Sequence, residues 1–375
     1  MVSDNALRTY RYYSSREWAK RGPKQNKFDK FNRMDLTTCL CASLSTLIRA
    51  VLLPLHLLAL AAELLVSCCR RAAPPPRHAL ITGAASGMGR ALAVRLSRAG
   101  VRSLSLVDLN AAGLEETREL ALAAAGAAPL AVTCAALNVC DRAAARAVVL
   151  AADNSPAAGP VALVLACAGT IESRVGGGRG LDDLELGARA VIDVNVGGVA
   201  NVVLPAVERM RARGAGRVGV LSSAAGRDGF SALYPAYAAS KAFASAWALG
   251  LRAHLRESGV AVTVFEPGAV RTPLLQAPPG LDPHYDLSSR GPACAAHLPC
   301  VELSAEAAAA AFLAGVARDE AVARPHLTYG VCADVLLGFP KETHDLFMRN
   351  GCGLLWGWRP KKAPRHAWSV GAPKT

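Results

Sequence analysis

From His78 onward, short apolar runs alternate with longer stretches in which apolar residues return every three or four positions. The runs are HALIT, VRSLSLVD, LAVTCAA, VALVLACAG, GRVGVLSS and VAVTVFEP. Each has the length of a strand and is rich in consecutive apolar residues, the pattern of strands covered on both faces. Helical patterns separate them, one starting near Gly87, one running through ETRELALAAA, one starting near Asp141, and others between the later runs. This alternation predicts an α/β domain over residues 78–335, a doubly wound parallel sheet with helices on both faces.

Upstream the pattern changes. Residues 37–69 hold the longest apolar stretch, and the part after Arg49 is long enough to cross a bilayer. Pro54, His56 and Glu63 interrupt it, so a single span and a bent helix lying in the interface both remain open. The segment 70–77, RRAAPPPR, reads as a stiff linker because consecutive prolines hold an extended backbone.

Charge separates the parts further. The chain of 375 residues carries a net charge of +13, but residues 78–339 hold 22 basic and 22 acidic residues. The excess lies in a basic N-terminal tail (1–36), the linker and a basic C-terminal tail (336–375). Basic flanks around an apolar segment suit anionic headgroups, whereas a nucleic-acid binder needs its charge on the folded domain. A membrane is therefore the expected partner and nucleic acid is not. The eleven cysteines show no metal-ligand spacing, His284 and His297 lack a third ligand nearby, and no metal site is expected.

Two local patterns carry chemistry. The first is 82-TGAASGMG-89, between the first strand and the first helix. Gly83, Gly87 and Gly89 leave no side chain between the backbone and a pyrophosphate resting on the helix N-terminus. Asp108 follows Gly89 by 19 residues at the end of the second strand. Its carboxylate suits the two ribose hydroxyls of an adenosine and repels a 2′-phosphate, and neither Ser86 nor Leu109 supplies a compensating charge, so NAD is expected rather than NADP. The second is 234-YPAYAASK-241. Pro235 fits only the first turn of a helix, which sets Tyr234 at its start, where it either packs or covers a pocket. Tyr237 and Lys241, four apart, then share one face.

With both patterns in place, residues 78 to about 330 resemble the short-chain dehydrogenase/reductase family. Thr82, Gly83, Gly87 and Gly89 match its T-G-x-x-x-G-x-G, Tyr237 and Lys241 its Y-x-x-x-K, and VFEPGAVRTP its P-G-x-[VI]-x-T. The resemblance implies a Rossmann-type fold and a cofactor site that also includes Ser86, Met88, Asn138, Val139, Ala168, Gly169, Pro267, Gly268, Val270 and Thr272. It implies that Asn195 holds a water beside Lys241, that Lys241 also bonds the nicotinamide ribose, and that subunits pair through the helices carrying Asn195 and Tyr237. Two departures stand out: Ala166-Cys167-Ala168-Gly169 replaces the family's N-N-A-G, removing an asparagine that braces the fourth strand, and Asn138 replaces an adenine-contacting aspartate.

The implied chemistry is hydride transfer between the cofactor and a carbinol carbon, with the protein moving the proton. Tyr237 is the expected acid and base, its pKa lowered by the Lys241 ammonium together with an oxidised nicotinamide. Ser223, aligned with S-x-A-G in preference to Ser222, holds the substrate oxygen. The Pro/Gly-rich excursion at 274–300 takes the place of the family's substrate lid. The apolar segment suggests a lipophilic alcohol or ketone, such as a retinoid, steroid or long-chain lipid, in the manner of the anchored retinol and hydroxysteroid dehydrogenases, at the endoplasmic reticulum or a lipid droplet. The alternatives are an NAD-binding scaffold at a membrane surface without turnover and an NADPH-dependent reductase of the 3-ketosphinganine kind, against which Asp108 argues.

Overall fold

The computed structural model describes residues 72–175, 181–228, 234–275 and 303–325, together with Leu58. Both basic tails, the apolar segment apart from Leu58, and residues 276–302, including His284 and His297, lie outside them. The expectations for a membrane helix and a substrate lid therefore fall outside the described residues.

Six strands form where the apolar runs stand: β1 (His78–Thr82), β2 (Ser103–Asp108), β3 (Ala131–Ala136), β4 (Leu163–Ala166), β5 (Gly216–Leu221) and β6 (Val260–Phe265). They pair in parallel in the order β3-β2-β1-β4-β5-β6. Two short strands, β7 (Val270–Arg271) and β8 (Leu303–Ser304), make a second sheet, and β9 (Val322–Ala323) adds a seventh strand beside β6. The last three have two residues each and no periodicity to announce them.

Adjacent strand residues point to opposite faces, so each strand feeds two cores. Ile81, Leu104, Leu165 and Phe265 pack under α1 (Gly87–Arg98), α2 (Ala111–Ala125) and the C-terminal helix Ala305–Ala317. Leu80, Val164, Val220 and Val264 pack under α3 (Arg142–Asp153) and the helices that follow β4 and β5. Those in this core are α5 (Val199–Ala212) and α7 (Pro235–His254), while α4 (Leu181–Ile192) and the short α6 (Ala225–Asp228) lie against α7, and the C-terminal helix is α8. Among the described residues one helix, Glu185–Ala212, is long and apolar enough to cross a membrane. Half of its most apolar stretch is buried, because it is the inner helix of this second core.

Helix starts separate scaffold from site. Asn110, Asp141 and Ser304 cap α2, α3 and α8 by accepting from the amides of Gly113, Ala144 and Ala307, at 3.1, 3.0 and 3.1 Å. The N-cap side chains of α1 (Ser86) and α7 (Tyr234) make no such bond. At the opposite end of the sheet the linker docks through a bond from the Ala73 amide to the Ala317 carbonyl, 2.9 Å. There Pro74, Pro75 and Pro76, with Arg95, Arg217 and Arg252, line a cavity of about 1070 Å³.

Candidate active site

The strand order reverses between β1 and β4, and the carboxyl ends of these strands open a crevice at that point, where parallel sheets hold ligands. Gly83 (φ +68°) and Gly87 (φ +49°) take the left-handed conformation that turns the chain from β1 into α1. A Cβ on Gly89 would stand 2.1 Å from the Gly83 carbonyl oxygen, so the loop closes only with glycine there. The first-turn amides of α1, which Ser86 leaves uncapped, fit the phosphate role expected of them. Met88 is buried in the core beneath the loop. Thr82 does a further job: its hydroxyl accepts from the amides of Cys167 and Ala168, at 3.1 and 3.2 Å. It thereby ties the end of β1 to the segment that follows β4.

Asp108 and Asn138 lie farther along the same edge, at the ends of β2 and β3. The Asp108 carboxylate accepts from the amides of Ala85 and Asn110, both at 3.0 Å, and so ties the glycine loop to β2. Asn138 is exposed and accepts from the Cys140 amide at 3.0 Å, while Val139 is buried beneath it. Sequence reasoning passed over Arg90, the cation nearest this edge. Its guanidinium donates through Nε to Thr117 and through Nη2 to the Ala85 carbonyl and to Glu116, the last at 2.7 Å.

Tyr237, Ser223 and Lys241 meet at the ends of β4, β5 and β6. The Ser223 hydroxyl stands beside the Tyr237 phenol and accepts from the Ala225 amide at 3.2 Å. Ser222 faces away, bonded to the Lys241 carbonyl and to Ser245, each at 2.8 Å. Lys241 is buried, its Nζ donates to the Leu221 carbonyl at 2.9 Å and lies 5.7 Å from the centre of the Tyr237 ring. Asn195 sits in a π turn (Asp193–Gly198) between α4 and α5. Its amide group donates to the Thr170 carbonyl and Ser240, at 3.0 and 2.9 Å, and accepts from the Thr170 amide at 2.8 Å, so its side chain joins the loop after β4 to α7. A Cβ on Gly169 would lie 3.3 Å from Asn195 and 3.6 Å from Lys241. Tyr234 is buried against the fold.

From β6 the chain returns over the crevice. The Pro267 carbonyl accepts from the Ala224 amide at 2.9 Å, next to Ser223, and Gly268 leads into buried Val270. The Thr272 side chain lies 3.2 Å from where a Cβ on Gly87 would be, so the turn and the glycine loop face each other. Thus Thr82, Gly83, Gly87, Ala168, Gly169, Ser223, Tyr237, Lys241 and Thr272 converge, and Asp108 and Asn138 extend the crevice at one end.

Glu172, in the 3₁₀ turn Glu172–Arg174 after β4, is a site residue that sequence reasoning missed. It is buried, and its Oε1 accepts from the amides of Ala236 and Tyr237, at 2.7 and 3.1 Å, capping α7 from outside the helix. A lone carboxylate in a loop offers no periodicity that would single it out.

Burial dominates the electrostatics of the site. It pushes the Tyr237 phenol above the ordinary tyrosine range, the neighbouring Ser223 hydroxyl works against this, and the charge of Glu172 reinforces it. Burial also draws Lys241 down to about 8, with Cys167 acting the other way. Cys167, wholly enclosed, is pushed up to about 12 by burial, with Lys241 opposing. A low-dielectric surround penalises phenolate and ammonium alike, so the lysine alone does not bring the tyrosine toward neutrality. The expected lowering rests on the positive charge of a bound nicotinamide.

Comparison with known proteins gives a consistent picture. The family model for short chain dehydrogenases matches residues 77–279. Glycine betaine reductase ATRR of Emericella nidulans is 36% identical over 197 residues, which take in 52% of this chain but 15% of that much longer protein. The NAD(+)-dependent 2-dehydro-3-deoxy-L-rhamnonate dehydrogenase of Sphingomonas sp. is 32% identical over 203 residues, 54% of this chain and 76% of that enzyme. Among solved structures, a short chain dehydrogenase from Mycobacterium paratuberculosis bound to NAD superposes with a TM-score of 0.53 at 26% identity, covering 66% of this chain and 95% of that one.

Proposed function

Since the chain belongs to the short chain dehydrogenase family and is an oxidoreductase of alcohol and ketone substrates, we propose that it moves a hydride between NAD(H) and a lipophilic alcohol or ketone, with Tyr237 as acid and base. The observation that carries this reading is the meeting of Ser223, Tyr237 and Lys241 beside a glycine loop open to a dinucleotide. A nicotinamide dinucleotide bound there supplies or takes the hydride.

The chain's own groups do the rest. Ser223 stands beside Tyr237, so a substrate oxygen placed between them meets two hydroxyl groups at once. In reduction the Tyr237 hydroxyl gives its proton to the forming alkoxide, and in oxidation the phenolate takes it from the alcohol. Lys241, held by the Leu221 carbonyl, keeps a positive charge beside the ring, and Asn195 and Ser240 hold α7 against the loop after β4.

NAD rather than NADP is proposed because Asp108 ends β2 where a 2′-phosphate would meet its charge, and the Arg90 guanidinium is paired with Glu116. The dehydrogenase from Sphingomonas named above uses NAD(+). The lipophilic substrate and the membrane, at the endoplasmic reticulum or a lipid droplet, rest on the apolar segment 37–69 alone, since the two related enzymes act on polar compounds. Pairing of subunits through α4, α5 and α7 is proposed from Leu186, Ile192, Leu204, Phe243 and Leu249, all exposed on those helices.

Membranes holding the full-length protein should form NADH, and little NADPH, from a panel of hydrophobic alcohols. Tyr237→Phe should cut the rate by about 100-fold or more. Unchanged turnover in that variant would remove the proposed chemistry, and turnover restricted to water-soluble sugars would remove the lipophilic substrate.

A further inference from the structure

The helix that carries Tyr237 starts without a cap of its own. Its N-cap side chain, Tyr234, makes no capping bond, and Pro235 donates none. The amides of the next two residues are instead satisfied by one oxygen of Glu172, which stands 65 positions before Tyr237. A serine or aspartate at position 234 would cap the helix locally. Glu172 is 6% exposed, and its second oxygen, Oε2, is a buried side-chain atom without a hydrogen-bond partner among the described residues. Gly187 on α4 accommodates it: a Cβ there would lie 3.1 Å from the Glu172 side chain. A buried carboxylate with an unpaired oxygen is a costly way to start a helix, so a role beyond capping is called for.

We propose, on the basis of the dehydrogenase reading above, that Glu172 is a positioning residue for Tyr237: its carboxylate fixes the first turn of α7 and sets a negative charge beside the phenol. The cap acts on the tyrosine's own amide, so it controls where the ring leaves the backbone. The charge opposes ionisation of the phenol, and this agrees with the direction in which Glu172 moves it. A phenol kept protonated is a proton donor, so Glu172 extends to higher pH the range in which Tyr237 can protonate a ketone, while Lys241 and an oxidised cofactor favour the phenolate needed for alcohol oxidation.

The other groups around the phenol are few among the described residues. Lys241 lies on its own helix, Arg174 and Cys167 flank the loop after β4, and Asp193 in the π turn is exposed. Glu185 and Arg189 on α4 pair with each other at 2.7 Å, and Glu266 after β6 pairs with Arg324 at 3.1 Å.

The test uses full-length protein, the variants Glu172→Gln, Glu172→Ala and Tyr237→Phe, and the two double variants that combine Tyr237→Phe with each change at Glu172. Ultraviolet difference titration of each Glu172 form against its own Tyr237→Phe partner isolates the Tyr237 phenol and requires no turnover. A glutamine keeps the accepting oxygen and removes the charge. Glu172→Gln should therefore lower the Tyr237 midpoint by about half to one pH unit, and the alkaline limb of ketone reduction should fall with it. Glu172→Ala removes the cap as well and should reduce kcat about 10-fold or more, with KM for the cofactor unchanged. A midpoint unmoved in Glu172→Gln overturns the proposal, as does wild-type kcat in Glu172→Ala. Should Glu172→Ala fail to fold, the glutamine titration decides alone. Absence of any dehydrogenase turnover in the wild type would defeat the functional reading and leave the titration to judge Glu172.

Discussion

Lys241 is a buried cation, 4% exposed, drawn down to about 8 from the ordinary 10.5. Between those two values the unfolded chain binds more protons than the folded one, so this residue makes stability rise with pH, and below about 8 the full penalty is present. The penalty amounts to roughly 3 kcal/mol, and removing the side chain leaves the Leu221 carbonyl without its donor, a loss of about 1 kcal/mol. Lys241→Met should therefore raise unfolding stability by about 2 kcal/mol at neutral pH while removing turnover. Above pH 10.5 the gain should vanish. Denaturant unfolding in detergent across this range measures it, and a variant less stable than wild type at pH 7 would show that the ammonium is better solvated than its surroundings imply.

At the scale of elements, the π turn between α4 and α5 brings Asn195 to both Thr170 and Ser240, which welds the loop after β4 to α7. Two neighbouring glycines in it behave differently. A Cβ on Gly198 would stand 2.6 Å from Val139 Cγ2, whereas one on Gly197 meets nothing within 4 Å. Gly198→Ala should cost about 1–3 kcal/mol through overpacking, and because Val139 belongs to the cofactor edge, NAD affinity should fall as well. Gly197→Ala should be neutral or stabilising by up to about 1 kcal/mol. Thermal melts of the pair, with cofactor titration by fluorescence, separate these outcomes. The alternation of runs that announced β1 to β6 was legible because the inner strands are buried on both faces, and β3, exposed at the sheet edge, keeps an apolar composition. The two-residue strands β7, β8 and β9 were not, since pairing with neighbours already in place is what makes them strands.

For the molecule as a whole, the sheet separates two ends. The candidate site lies at the carboxyl ends of the strands, and the linker docks at the other end through Ala73. Exposed apolar residues on α4, α5 and α7 point to the proposed subunit contact. Sedimentation of the full-length chain should show a dimer, and Leu204→Asp combined with Phe243→Asp should give a monomer that keeps its secondary structure. A wild-type chain that sediments as a monomer would dismiss that contact, without touching the chemistry at Tyr237.

What the sequence alone determined was what short-range geometry dictates. A helix places Tyr237 and Lys241 on one face whatever surrounds them, a tight strand-to-helix turn requires glycine at 83 and 87, and buried parallel strands read as apolar runs. Tertiary structure decided that Ser223 stands by the phenol while Ser222 bonds the Lys241 carbonyl, that Thr82 holds the segment after β4, that Glu172 caps α7, and that burial raises the tyrosine's pKa. These depend on groups as far as 86 positions apart meeting in a low-dielectric interior, and neither proximity nor desolvation is encoded by local spacing.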